Sequence, residues 1–306
     1  MNTGAVIVAA GMSSEVGEFK PMLKVGAISA AKRIVSTLQQ AGAEPVVVVT
    51  GNQAETLEKH LSKCGGIVFL RNRNYASSQM FDSARIGLAF IQDKCDRILF
   101  TPVDIPLFTA NTVLQLCESA ADAAIPVCKG IAGHPLLLKS HIISKILDYE
   151  GSGGLRGAMD AAGIEVEGIE VEDEGILQDV EAPDGIDALV KYHNSQLLRP
   201  VMSLRLARED IFFGPEEAML LSLIRDTGSV KLACAQMKLS YSKGWNILKR
   251  IGRGVGVPIA ESRQGGAGGG YSLLTERGEW LLDCFTAYER DCRAYAENSF
   301  EEHFLK

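Results

Sequence analysis

Residues 5 to 10, Ala-Val-Ile-Val-Ala-Ala, form an unbroken apolar run that stops at Gly11-Met12-Ser13-Ser14. An apolar run without alternation suits a strand buried on both faces, as in parallel sheets covered by helices. Small residues at its end let successive backbone N–H groups face outward. Lys20 follows with a positive charge, so the loop can cradle a phosphate. The other reading is a plain turn, because glycine-rich turns after strands are common.

The chain continues in alternation. Ile28 to Ala41 carries Ile28, Ala31, Ile34, Val35 and Leu38 at helical spacing and ends at Gly42. Val46 to Val49 reads as a buried strand, Gln53 to Leu61 as a helix and Ile67 to Leu70 as a third strand. Asn72 to Leu88 reads as a loop entering a helix, and Arg97 to Phe100 and Ala124 to Val127 as further strands. This order predicts an α/β fold, a Rossmann-like doubly wound, mostly parallel sheet whose ligands sit at the carboxyl ends of the strands.

At such an end, Asp104 stands between Pro102 and Pro106. A carboxylate held in a stiff turn suits a magnesium ligand, and a helix cap or turn residue is the alternative. Asp179 and Glu181 lie two apart, so on an extended chain they share a face and can reach one ion. The alternative is a helix start with acids favouring its dipole, which fits Asp184 better than Asp179.

The opening resembles the signature of the molybdenum-cofactor nucleotidyltransferases, the MobA-like NTP transferases, through Val8-Ala9-Ala10-Gly11, Ser13, Gly17, Lys20 and Gly26. Met80, Ser83, Gly87 and Leu88 match the segment that lines the base and second-substrate pocket in that family. Gly133-His134-Pro135 matches its acceptor-region element, Asp104 its D-x-P element, and residues 176 to 185 its closing acidic element. The resemblance covers about residues 3 to 192. It implies nucleotide contacts from Ala9, Ala10, Gly11, Ser13, Gly17 and Lys20, pocket contacts from Met80, Ser83 and His134, and Mg2+ held by Asp104, Asp179 and Glu181, with Lys20 and Asp104 catalytic. Three positions depart: Glu15 replaces an arginine that grips the triphosphate, Gln79 a glycine and Ser152 an aspartate.

Beyond Leu197 the character changes. Residues 1 to 197 hold 16 basic and 24 acidic side chains, and residues 198 to 306 hold 15 and 14, which suggests two domains, 1–196 and 197–306, with different partners. Val201 to Leu206 and Ile211 to Phe213 read as a hairpin, and Pro215 starts a helix. From Ser229 the text reads as a helix-turn-helix: Ala233 and Ala235 are small where two helices cross, and Ser240 caps a second, basic helix. That helix bears Tyr241, Lys243, Asn246, Lys249 and Arg250; Trp245 reads as core, and the glycines after Arg263 as the tip of a hairpin.

Phe213-Gly214-Pro215, Thr227-Gly228-Ser229, Ser240-Tyr241, Trp245, the Gly265–Gly270 run and Leu274-Thr275-Glu276-Arg277-Gly278 closely resemble the ModE-type winged helix-turn-helix DNA-binding domain. The resemblance implies DNA contacts from Ser240, Tyr241, Lys243, Asn246, Lys249, Arg250 and Arg263. It also implies a homodimer through the helix from Glu276 to about Asn298, with Trp280, Leu281, Phe285 and Tyr288 on one side. The alternative is a helix that covers its own core.

No apolar stretch is long enough to span a bilayer and no signal-peptide pattern opens the chain, so a cytoplasmic protein without membrane partners is expected. Seven cysteines without a C-x-x-C pair fit scattered thiols. The expected function is Mg2+-dependent nucleotidyl transfer from CTP, or GTP, to a molybdopterin-type acceptor, coupled to double-stranded DNA binding and regulation. The competing expectation is a regulator whose first domain senses a ligand without turning it over.

Overall fold

Strand β1 (Thr3–Ala9) is the axis of the first part of the chain, pairing in parallel on both sides. The computed structural model describes residues 2–11, 19–62, 64–181, 186–198, 200–263 and 271–304. Contacts divide the chain into two units, Met1–Leu198 and Arg199–Lys306.

In the first unit β1 is followed by the two-residue strands β2 (Lys24–Val25) and β3 (Ile28–Ser29), then helix α1 (Ala30–Gln40). The helix starts two residues later than its apolar spacing suggests, because Ser29 leaves the hairpin to cap it, accepting from the Lys32 N–H at 3.3 Å. Next come β4 (Val46–Thr50), α2 (Ala54–Leu61), β5 (Ile67–Arg71), α3 (Met80–Ile91), β6 (Arg97–Pro102) and α4 (Ala110–Glu118). The unit closes with β7 (Ala123–Cys128), β8 (Ile131–Ala132), β9 (Leu136–Lys139), α5 (Ile143–Leu147), α6 (Gly154–Ala161), β10 (Val166–Glu170) and α7 (Ile186–Gln196).

The sheet order is β10-β7-β9-β6-β1-β4-β5, with β8 on β7. Strands β5, β4, β1 and β6 are parallel; β9 runs antiparallel to both β6 and β7. The sequence reading has no strand here, naming only Gly133-His134-Pro135 just before β9. Ala5, Ile7 and Ala9 lie in the same core cluster as Ile34, Leu38, Val48 and Phe108, so the opening apolar run is buried as its composition requires.

The second unit contains β11 (Leu206–Ala207) and β12 (Ile211–Phe213), then α8 (Pro215–Thr227), α9 (Val230–Gln236) and α10 (Tyr241–Val255). A hairpin of β13 (Ala260–Arg263) and β14 (Tyr271–Leu274) follows, then α11 (Glu276–Phe304). The first hairpin is shorter than expected, since Val201 to Arg205 form no strand. Ala235 is exposed and does not mark the helix crossing. A Cβ on Gly244 would lie 2.2 Å from Cys234 Sγ, so the close approach of α9 and α10 is at that pair.

Candidate active site and basic helix

Three segments meet at the carboxyl edge of the first sheet. Val103 N–H donates to Val8 O at 3.1 Å, setting the turn after β6 beside the end of β1. Val180 N–H donates to Asp104 O at 2.8 Å, bringing residues 179 to 181 onto that turn. Asp179 Oδ1 accepts from the Glu181 N–H at 2.8 Å. Lys20, at the start of a short 3-10 turn whose Pro21 is buried, then places Nζ 2.8 Å from Glu181 Oε2.

The charges respond to that crowding. The hydrogen bond Lys20 donates to Glu181, with support from Asp179 and Asp104, holds its ammonium above the usual lysine range. Burial first, and Asp179 second, push the Asp104 carboxyl up. Its Oδ1 is buried with no hydrogen-bond partner among the described residues, an acceptor that a cation would satisfy. The donor set of Asp104 with Asp179 therefore fits a hard divalent ion. The expected three-carboxylate centre is not assembled, however: among the described residues no group of three or more His, Cys, Asp or Glu side chains is arranged to hold a metal. Glu181 faces Lys20 instead.

A cavity of about 290 Å3 opens between the N-termini of α3 and α6, lined among others by Gln79, Met80, Phe81, Phe100, Ser152 and Leu155. Gln79 and Ser152, 73 positions apart in sequence, thus share one cavity. Met80 is 59% exposed at its mouth. Ser83 is not a lining residue. It is buried and accepts from Asn72 Nδ2 at 2.9 Å, because the helix turns it toward β5 and away from the opening. His134 donates its backbone N–H to Ile176 O, and burial pushes its ring down to about 4, so it is neutral at physiological pH. Its Nδ1 is buried without a partner among the described residues.

Ala9 pairs with Thr50 inside the ladder, and Ala10 O accepts from Asn52 N–H at 3.2 Å. Ala9 is therefore a strand residue that contributes packing, while Gly11 lies exposed at the lip. Gly51, absent from the sequence reading, makes this lip possible: a Cβ there would sit 2.5 Å from Ala10 O and 2.6 Å from Tyr75 Cβ. Ser13, Glu15, Gly17 and Asp184 lie outside the described residues.

In the second unit Ser240 caps α10, accepting from the Lys243 N–H at 3.2 Å. Gly244, Ile247, Leu248 and Ile251 form its buried face; Ser242, Asn246, Lys249 and Arg253 lie on the exposed one. Two of the expected DNA contacts are engaged inside the unit. Lys243 Nζ is 3.2 Å from Glu216 Oε1, and the Arg250 guanidinium pairs with Glu217, both acids in the first turn of α8. Arg253, which continues the exposed stripe, was missed because it falls beyond the motif. Trp245 is half-buried and meets Tyr241 edge-on at 6.3 Å. Arg263 pairs with Tyr271 in the hairpin backbone, and Gly265 to Gly270 lie outside the described residues.

Leu281 and Phe285 of α11 are buried in their own unit, Phe285 edge-on to Phe213 at 4.9 Å. They cannot share a dimerisation face with Trp280 and Tyr288, which are about half exposed. Among the described residues no helix is long and apolar enough to cross a membrane.

Residues 5–166 match the MobA-like NTP transferase domain family, more than half of the chain. The chain belongs to that family. It is a nucleotidyltransferase, and relatives of two kinds share parts of it. The molybdenum cofactor cytidylyltransferase of Escherichia coli is 26% identical over 185 residues, 58% of this chain and 91% of that protein. The transcriptional regulator ModE of Haemophilus influenzae is 31% identical over 83 residues, 27% of this chain, and the molybdenum-pterin-binding protein MopB of Rhodobacter capsulatus 32% identical over 84, or 28%. This chain spans only about a third of the length of those two. A nucleotidyl transferase from Methanothermobacter thermautotroptrophicus superposes with a TM-score of 0.52 at 20% identity, covering 64% of this chain and 98% of that one. The 4-diphosphocytidyl-2C-methyl-D-erythritol synthase of Anaerococcus prevotii gives 0.51 at 15%, covering 63% and 96%. These likenesses show the nucleotidyltransferase fold of the sheet.

Proposed function

We propose that the first unit transfers a cytidylyl group from CTP to a molybdopterin-type acceptor with Mg2+, and that the second is a winged helix-turn-helix that binds double-stranded DNA, in a cytoplasmic dimer regulating molybdenum metabolism. The observation that carries the transferase reading is the buried Asp104 oxygen, without a hydrogen-bond partner among the described residues, beside the Lys20–Glu181 pair, at the strand ends where an α/β sheet takes its ligand. The cytidylyltransferase relative, aligned over most of its own length, supports CTP over GTP.

A phosphate oxygen of the acceptor attacks the α-phosphorus of CTP, the new P–O bond forms, the α–β phosphoanhydride breaks and pyrophosphate leaves. Lys20 exchanges Glu181 for the triphosphate, donating its N–H groups to oxygens that gain charge as pyrophosphate departs. Asp104 and Asp179 are the residues that would hold the divalent ion. When bound, the ion supplies charge neutralisation on the triphosphate. Neutral His134 keeps its buried edge free of added charge.

The DNA reading is supported by the cap-helix-turn-helix-hairpin order of the second unit, the exposed Asn246, Lys249 and Arg253 face of α10, and the regulator relative. In the dimer, the exposed Trp280 and Tyr288 of α11 would meet their mates. Incubation with CTP, Mg2+ and molybdopterin should release pyrophosphate; silence with both CTP and GTP, together with retained nucleotide binding, would favour the sensor alternative.

A further inference from the structure

Arg33 of α1 is 1% exposed, and among the described residues no carboxylate pairs with it. Its Nε and Nη2 donate to Val25 O at 3.1 and 2.6 Å, and its Nη1 to His193 Nδ1 at 2.8 Å and Asn194 Oδ1 at 2.9 Å. His193 Nε2 lies 3.1 Å from Phe108 O, which can only accept, so this nitrogen carries the proton and Nδ1 receives from Arg33. Burial and Arg33 push the ring down to about 4, consistent with that neutral form.

A buried cation without an anion is costly, and an apolar side chain of like volume would join two helices without that cost. The contacts show what the guanidinium adds. Val25 lies five residues after Lys20, and α7, which carries His193 and Asn194, starts five residues after Glu181. A small cluster of Val25, Ala30, Leu107 and Val190, with Val180 packed against it, joins the segments that carry Lys20, Asp104 and Glu181. Gly26, at φ +69°, leaves no room beside it: a Cβ would sit 2.8 Å from Val190 Cγ1 and 2.9 Å from Arg33 Nη2.

We propose that Arg33 is a positioning residue of the nucleotide site, clamping the Lys20–Gly26 strap to α7 and so setting the separation of Lys20 from Glu181 and the affinity for a nucleoside triphosphate. The affinity half rests on Lys20 being a triphosphate ligand; the separation half does not.

The test uses the full chain with Arg33→Met, Lys20→Ala and the double variant. The NMR signal of the Lys20 ammonium at fixed neutral pH reads the ion pair without any nucleotide, and calorimetry with CTP and Mg2+ reads affinity. Arg33→Met should move that signal toward the one of a solvated lysine and weaken CTP by about tenfold. Added to Lys20→Ala it should change affinity less than about twofold, since both act through one contact. An unchanged Lys20 signal, or losses that multiply, would overturn the proposal. If the wild type binds no CTP while the Lys20 signal responds to Arg33→Met, the nucleotide assignment fails and the positioning role stands. Should Arg33→Met not fold, Asn194→Ala, which removes one acceptor at an exposed position, is expected to move both readouts in the same direction by a smaller amount.

Discussion

Both units hold their expected phosphate-binding cations against a glutamate, but under different conditions. In the first, the Lys20 and Glu181 side chains are 25% and 33% exposed and stand beside a buried carboxylate oxygen that has no partner among the described residues. In the second, Lys243 and Glu216 are 57% and 51% exposed, and only Glu217, at 11%, is deeply placed. A sheltered pair is weakly screened and yields to a ligand that replaces its charge in that geometry. An exposed pair is worth little and is screened by salt. On the proposed functions, the first arrangement suits selective exchange with a nucleotide, and the second suits a polyanion that competes by concentration of charge.

The sharpest way to break that contrast is Asp104→Asn. Because burial and Asp179 disfavour its charged form, the neutral isostere should raise the melting temperature of the ligand-free protein by a few degrees while lowering transfer by about 10³-fold or more. An unstabilised Asn variant would mean that the carboxylate is not strained. Lys20→Ala should lower transfer by about 10²-fold, read as pyrophosphate release at saturating Mg2+, and a loss below threefold would remove it from the site.

Acid should separate the units next. Buried His134 and His193 are held near 4 in the folded protein against an ordinary 6.5, so the unfolded chain binds more protons between those values. The stability of the first unit therefore falls as pH drops from about 6.5 to 4, ahead of the second, which contains neither histidine. Calorimetric melts across that range, with coincident acid loss in both units, would contradict the assignment.

The smallest effect concerns the helix. Glu217→Gln removes the charge that pairs Arg250, so duplex DNA should bind a few-fold more tightly at low salt, with a log–log salt slope steeper by about one. Lys249→Ala should flatten that slope by a similar amount. If neither moves it, α10 is not the DNA-facing helix.

Much of this was readable in advance. The run from Ala5 to Ala10, the helix start at Pro215 and the cap at Ser240 depend on residues a few positions apart, and their chemistry admits few conformations. Asp104 stood out because two prolines framed it at a strand end. The packing of Ser83 was not legible, because helical spacing does not say whether a hydroxyl faces a ligand or a neighbour such as Asn72. Arg33 gave no signal at all: a lone arginine in an amphipathic helix looks like any solvated one.

The sequence by itself determined the alternation of strands and helices and the cap-framed basic helix, because backbone propensities and turn stereochemistry act locally. Only the tertiary structure decided which charges face each other. Lys20 meets Glu181 across 161 positions, Arg33 meets His193 across 160, and Gln79 shares a cavity with Ser152. Such partnerships are set by the order and register of the sheet, which no window along the chain contains.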